Sequence, residues 1–478
     1  MKIQLSDHFT YGKLLRFTIP SIGMMIFTSI YFVVDGYFVS NYTGKTAYAA
    51  LNFIYPVLMI LGALGTMLGT GGCALVAKTL GEGDRKKANE LFSMFIVLTI
   101  VFGVIMSVAG YFLIPSIAAV FGASGELLGY CISYGRIVLM GLVGVMLQYE
   151  FQSLFVAAEK PHLGFVATVV AGTTNMVFDW LFVAVFHWGL EGAAIATCMS
   201  QMVGGIFPLV YFLSKRNDSL LHFTRFKMDF SSIGKACSNG MSEFLSSISS
   251  SFVGILFNNQ LLKFAGEDGV AAYGTLTYVV LVFIGVFIGY SMGTAPVVSF
   301  NYGADNRKEL RSLLKKSLVL ILSSSLLMFV AGEVFSPIFA RIFVGYDEAL
   351  MEMTLRAFFF YSFSFLFSGI CIYSSSFFTA LNNGLVSALI STLRTVFFQV
   401  VFVLVLPQFW GLDGIWLSIV FAEFSSAMIG VFFLISQRKR YGYGGPVLDG
   451  NQAVETAEKN SILNAVHYSE FFCKNRKS

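Results

Sequence analysis

The 478-residue chain is 56% hydrophobic and only 12% charged, with a formal net charge of +4. Soluble domains carry about a quarter charged residues, so a water-facing enzyme of two or three domains is excluded. Fifty-one Phe against nine Pro, with no long polar stretch before the C-terminal tail, excludes disorder as well. At roughly 20 apolar residues per span, the hydrophobic mass supports about a dozen membrane helices. In chain order they are predicted near 14–39, 48–77, 91–113, 127–156, 162–186, 190–213, 237–262, 270–300, 312–335, 350–379, 385–406 and 412–435. Several exceed about 20 residues, so tilting or extension beyond the bilayer is expected. The opening MKIQLSDHFTYGKLLRFTIP has no small-residue cleavage site and runs into a full span, so no cleaved signal peptide is expected.

Basic residues set the expected orientation. The N-terminus, the even-to-odd loops and the C-terminal tail hold 25 of the 31 Lys and Arg. The opposite loops hold Lys45, Lys263 and Arg341, and Arg136, Arg356 and Arg394 fall inside spans. By the positive-inside rule both termini are expected in the cytoplasm.

The chain repeats itself. Gly81-Glu82-Gly83-Asp84-Arg85-Lys86 returns as Gly303-Ala304-Asp305-Asn306-Arg307-Lys308, and Trp188-Gly189-Leu190-Glu191-Gly192 as Trp410-Gly411-Leu412-Asp413-Gly414. Ser153-Leu154-Phe155 pairs more weakly with Ser375-Ser376-Phe377, and all three pairs share an offset of 222 residues. Two copies of a six-helix unit follow, both starting from the same side and related by an axis along the membrane normal. A binding cavity is expected where they meet, which is the architecture of a transporter. The expected organisation is an all-α integral membrane protein. It has an N-terminal lobe (1–213), a basic cytoplasmic linker (214–236), a C-terminal lobe (237–436) and a polar cytoplasmic tail (437–478).

A carboxylate inside a span costs roughly 2.5–3.5 kcal/mol on insertion scales, so each one needs a reason. Asp35 lies in the first helix, and Asn175 and Asp179 lie four apart on one face of the fifth. By the rise per residue, both acids fall in the outer half of the first copy, together with Thr197 and Tyr134. Two carboxylates with an amide, a hydroxyl and a phenol suit a proton or a sodium ion. Neighbouring acids in a low dielectric titrate as a coupled pair, and a hard cation is satisfied by the same oxygens. Packing between helices is the alternative account of these groups. The second copy has Phe257, Phe397 and Val401 at the positions matching Asp35, Asn175 and Asp179, so the expected ion site is asymmetric. That copy carries Arg394 and Glu423 instead, expected to form a buried ion pair that fixes helix packing. Glu243 and Glu150 lie near the inner ends of their helices, where either can snorkel to the cytoplasm or face the cavity. Gly69-Thr70-Gly71-Gly72 lacks the GK[ST] of a phosphate cradle and points to close helix packing. The six Cys show no CxxC spacing, the five His no HExxH, and nothing suggests a nucleophilic triad, so no enzyme chemistry and no cofactor are expected.

With these residues the chain resembles the multidrug and toxic compound extrusion (MATE) family, and within it the bacterial MepA/DinF-type groups. The features that carry the likeness are Pro20, Val34-Asp35-Gly36, the loop Gly81–Asn89, Asn175-Met-Val-Phe-Asp179 and Gly189-Leu-Glu-Gly-Ala-Ala194. The likeness covers all twelve helices. It implies antiport of cationic or amphipathic drugs against protons or sodium in a bacterial cytoplasmic membrane. It also implies a cation site at Asp35, Asn175, Asp179 and Thr197, with Tyr134 nearby. Gln152 falls where related proteins have an Asn facing the drug cavity, and Glu150 and Arg136 are further cavity candidates. The implied mechanism is a rocker switch in which cation binding bends or shifts the first helix near Pro20. The many Phe and Met residues are expected to supply an adaptable apolar cavity. A monomer without nucleic-acid partners is expected. A lipid-linked oligosaccharide flippase of the same superfamily is the main rival, and it should expose several cavity Arg.

Overall fold

The computed structural model describes residues 3–345 and 347–444, and the expected tail beyond Gly444 lies outside the described residues. Among the described residues nine helices are long and apolar enough to span a bilayer, and two bent pairs add two more. One of the nine, Phe230–Gly303, has 74 residues and breaks at Gly266, where φ is 64°, so it is two spans. Twelve spans result, numbered here in chain order. The first lobe holds α1 (Tyr11–Tyr42), α2 (Lys45–Gly81), α3 (Arg85–Val120), α4 (125–157), α5 (Pro161–Val185) and α6 (Gly189–Leu213). The second holds α7 (230–265), α8 (267–303), α9 (Arg307–Val344), α10 (348–380), α11 (Gly384–Val405) and α12 (Pro407–Ser436).

The helices run longer than their apolar cores because polar caps fix their starts outside the hydrophobic run. Thr10, Asp84, Asn306 and Asp347 each accept a hydrogen bond from the backbone N–H three residues on. The same effect moves the linker boundary. Helix α7 starts at Phe230 rather than near residue 237, because Asp229 caps it through the Ser232 N–H at 3.1 Å. Hydrogen bonds from Ser232 and Lys87 hold the Asp229 carboxyl below the usual carboxylate range. The first residues of the expected polar tail are packed as well: Tyr441 and Tyr443 are buried, and the Tyr443 hydroxyl donates to the Leu434 carbonyl at 2.9 Å.

The repeat is visible in the backbone. Gly44 and Gly266, and Gly189 and Gly411, are 222 apart and all have positive φ (87°, 64°, 60° and 58°), the region glycine occupies without strain. Helices α4 and α10 bend at matching places, by 53° at Gly141 and by 48° between Ser362 and Phe365. The contacts between the lobes are reciprocal. A Cβ on Gly81 would lie 2.0 Å from the Phe300 carbonyl oxygen, and one on Gly303 would lie 2.0 Å from that of Lys78. Gly71 meets Ala236 and Gly240 in the same manner, and Gly240 meets Met67. Gly69 and Gly72 press on Glu150 and Phe95 within the first lobe, so this glycine run is indeed a helix-packing surface. These contacts seal the lobes together at the end that carries the basic loops.

A strap crosses that basic end ahead of α1. The Leu5 N–H donates to Glu159 of the first lobe at 2.7 Å, and the Phe9 N–H donates to Glu309 of the second at 3.0 Å. His8 pairs with the other Glu309 oxygen at 2.6 Å, and Lys316 donates to the Phe9 carbonyl. Leu5 and Phe9 are fully buried, each stabilising the strap by roughly 1.5–3 kcal/mol.

Gly81→Val and Gly303→Val should each prevent this end from sealing, because the added carbons would overlap backbone rather than flexible side chains. In a background without other cysteines, Ala74→Cys should then react several-fold faster with an impermeant maleimide applied from the basic side. An unchanged rate would mean that the seal does not depend on these glycines.

Candidate functional site

Two sites emerge, a small pocket inside the first lobe and a larger cavity between the lobes. The pocket, of about 90 Å³, is bounded by Asp35 on α1, Tyr134 on α4, Asn175 on α5 and Thr197 on α6. Asp179 is fully buried one turn beyond Asn175 and acts directly on the Asp35 carboxyl, as Asn175 and Thr197 also do. The five residues singled out in the sequence therefore converge from four helices. At Asp179 the α-helix gives way to a π-helical turn over Trp180–Val185. Such turns are rare and often found at functional sites. Here it widens the helix directly beyond the acid.

The oxygens of this site are short of hydrogen bonds. Asp35 Oδ1, both oxygens of Asp179, Asn175 Oδ1 and Thr197 Oγ1 are buried and, although these groups lie beside one another, make no hydrogen bond of good geometry among the described residues. Buried polar atoms are nearly always paired, and leaving a charged one unpaired costs several kcal/mol at least. Five orphaned oxygens in one place call for a proton or a hard cation. Among the described residues no three His, Cys, Asp or Glu side chains converge, so the donor set is two carboxylates with neutral oxygens. That set suits a monovalent hard cation better than a transition metal.

Sequence reading did not identify the surrounding tyrosines. Tyr31, Tyr55 and Tyr149 line the pocket with Tyr134, and Gln201 contributes another orphaned oxygen. Tyr31 precedes Asp35 by one helical turn, which was a usable signal. Tyr55 and Tyr149 come from other helices and gave none.

The interlobe cavity encloses about 510 Å³, a volume typical of small-molecule sites. Gln152 lines it, with its Nε2 3.4 Å from Thr168 Oγ1. Glu150 does not, since its carboxylate is buried within the first lobe beside Thr99, nor does it reach the surface as a snorkelling side chain. Arg136 is also turned away, stacked 4.6 Å from the Tyr111 ring centroid. Glu243 faces the cavity instead of the membrane surface. Arg394 and Glu423 line the cavity as an ion pair, with Arg394 Nε 2.9 Å from both carboxylate oxygens. Arg394 sits on a second π-helical turn, Leu393–Phe398. The cavity wall is mainly apolar, as expected, but Phe and Met supply little of it: the described residues lining it include one Phe and two Met, against six Val, Leu or Ile, three Tyr and fourteen Ser or Thr. The Phe side chains instead fill the lobe cores or face lipid, as with Phe95 at 0% exposure and Phe112 at 70%.

Two six-helix repeats around a central cavity, with buried carboxylates in one lobe, define a two-lobe membrane transporter. A family model described as MatE matches residues 20–181 and 243–405, one copy in each lobe. The chain belongs to this MATE family of membrane transporters. It is 24% identical over 441 residues to the multidrug export protein MepA of Staphylococcus haemolyticus, covering 90% of this chain and 94% of that protein. It is 22% identical over 435 residues to MepA of Staphylococcus aureus, with the same coverage. Its fold matches a solved outward-facing multidrug resistance MATE transporter at a TM-score of 0.86 and 23% identity, over 91% of this chain and 97% of that one. A transporter of the same superfamily from Pyrococcus furiosus matches at a TM-score of 0.83 and 24% identity, over 91% and 97% of the two chains.

Removing one partner of a buried ion pair strands the other charge, at a cost of about 3–5 kcal/mol. Glu423→Gln should therefore lower the unfolding temperature of the purified protein in detergent by several degrees. The double variant Arg394→Met with Glu423→Met should recover most of the loss. If the double variant is no more stable than Glu423→Gln, the pair does more than neutralise its own charges.

Proposed function

We propose that the protein is a cation-coupled antiporter that exports cationic or amphipathic organic compounds from a bacterial cell, with its basic face in the cytoplasm. The observation that carries this reading is the set of orphaned oxygens on Asp35, Asp179, Asn175 and Thr197, present in one lobe only. A proton or a sodium ion entering from the outer side removes the repulsion between the two carboxylates by sitting between them, and draws α1 toward α5. Helix α1 also forms part of the seam between the lobes. A Cβ on Gly289 of α8 would lie 2.5 Å from Ile22 Cα, and Ser29 donates to the Leu281 carbonyl at 3.1 Å. Asp35 lies six residues beyond Ser29 on the same helix, and Pro20 lies just before Ile22 at the other side of the seam, so movement at Asp35 is transmitted to the interlobe contact. The ion's differential affinity for the two arrangements then sets the direction of exchange. The sealed basic end is the closed gate of one half of this cycle.

The oligosaccharide flippase alternative has less support. A pyrophosphate-linked lipid calls for free Arg groups in the cavity, and Arg394 is engaged by Glu423 while Arg136 points elsewhere. The names of the MepA relatives favour drug export, and we take the working unit to be a monomer.

The test is ethidium efflux from pump-deficient bacteria producing equal amounts of wild type, Asp35→Asn or Asp179→Asn. Wild type should export, and each Asn variant should lose at least tenfold in rate. Efflux that needs sodium in protein-containing vesicles identifies sodium as the coupling ion, and collapse by a protonophore without sodium identifies the proton. Full export by Asp35→Asn would refute the assigned coupling site.

A further inference from the structure

We propose that the second lobe's side of the central cavity is a binding site for organic cations rich in N–H donors, carrying primary ammonium or guanidinium groups, with Glu243 as their counter-charge. The inference deepens the export reading by naming the substrate class, and rests on that reading for the direction of transport.

The argument starts from the hydroxyl protons. A serine or threonine hydroxyl has one proton to give and two lone pairs to receive. On a helix the proton can be spent on the carbonyl one turn back. Ser246 donates to the Ser242 carbonyl at 2.8 Å, Ser247 to that of Glu243 at 3.0 Å and Ser250 to that of Ser246 at 2.8 Å. On the facing helices Ser368 donates to the Ser364 carbonyl at 2.9 Å and Thr395 to that of Ser391 at 2.8 Å. These hydroxyls line the cavity with their protons already committed, so what they present to a ligand is lone pairs. Ser291 also lines the cavity, and its Oγ, without a partner among the described residues, is free to accept as well as to donate. On this side of the cavity the five back-bonded hydroxyls, three of them on one stripe of α7, therefore accept hydrogen bonds rather than donate them.

Charge points in the same direction. Arg394 is the only basic side chain among the described residues lining the cavity, and Glu423 holds it through both carboxylate oxygens. The remaining cavity carboxylate is Glu243, on the same helix as Ser246, Ser247 and Ser250 and three to seven residues before them. Positions i+3, i+4 and i+7 share its face, so one stripe of α7 presents a carboxylate followed by hydroxyl acceptors. A quaternary or purely aromatic cation satisfies the charge and leaves the acceptors unmet. An ammonium or guanidinium satisfies both, and replaces water without leaving polar atoms unpaired.

The test compares two ligands of equal charge and spacing. Putrescine has six N–H donors when protonated, and tetramethylene bis(trimethylammonium) has none. Equilibrium binding of each to the purified full-length protein in detergent, at fixed ionic strength, should favour putrescine by at least tenfold. Glu243→Gln should weaken putrescine at least tenfold, and Ser246→Ala with Ser250→Ala should weaken it several-fold while leaving the quaternary ligand unchanged. The wild-type comparison needs no variant, so misfolding of a substituted protein does not blur the answer. Equal or tighter binding of the quaternary ligand overturns the proposal, as does undiminished putrescine binding by a normally eluting Glu243→Gln protein. Ethidium export measured alongside separates the two readings. Export without a diamine preference overturns the cavity assignment alone, and a diamine preference without export of any cation overturns the efflux reading alone.

Discussion

The fold depends on backbone meeting backbone at the seam between the lobes. At Gly81 and Gly303, and at Gly71 and Gly240, one helix lies so close to the next that a single added carbon would sit within about 2 Å of a carbonyl oxygen. In lipid no hydrophobic effect drives helices together, so close packing and hydrogen bonding have to supply the attraction. Gly81 and Gly303 are 222 apart and meet Phe300 and Lys78, also 222 apart, so this part of the seam is a property of the pseudo-twofold axis. At these glycines the seam is held by van der Waals contact between backbones, with few hydrogen bonds such as that from Ser29 to the Leu281 carbonyl beside it.

The two lobes share a frame and divide the chemistry. The first keeps Asp35, Asn175 and Asp179, where the second has Phe257, Phe397 and Val401. The second lobe carries the hydroxyl-lined side of the cavity, and there Phe257 stacks on Tyr273 with centroids 5.6 Å apart. The two halves of a duplicated scaffold therefore carry different chemistry, and α1 touches both. That helix carries an acid in the first-lobe pocket and a contact stripe on α8, so it is the physical link between the two sites.

The basic end has a second fastening in the strap of residues 3–10, which hydrogen-bonds to Glu159 of one lobe and Glu309 of the other. In the sequence this stretch reads as a short polar lead before the first span. Its role follows from Leu5 and Phe9 being buried against helices some 300 residues away in the chain, and no local pattern encodes such a contact.

The sequence by itself determined the all-helical membrane class, the duplication and the polar residues that converge on the first-lobe pocket. Hydropathy is a local sum, a repeat is read by comparison, and an acid in an apolar run is conspicuous because lipid penalises it. Asp35, Asn175 and Asp179 were legible for that reason. Only the tertiary structure decided which side chains face which cavity. Glu150 and Glu243 both sit near helix ends in apolar surroundings, yet one is enclosed in the first lobe and the other faces the central space. The π-helical turns beside Asp179 and at Arg394, and the bends in α4 and α10, leave no readable mark either. The Phe- and Met-rich composition suggested that these residues supply the apolar cavity wall, whereas the fold sends most Phe rings to lipid and lobe cores and lines the cavity with aliphatic, tyrosine and hydroxyl side chains. Composition cannot tell these arrangements apart, because a transmembrane helix is apolar on the lipid side whatever its inner face carries.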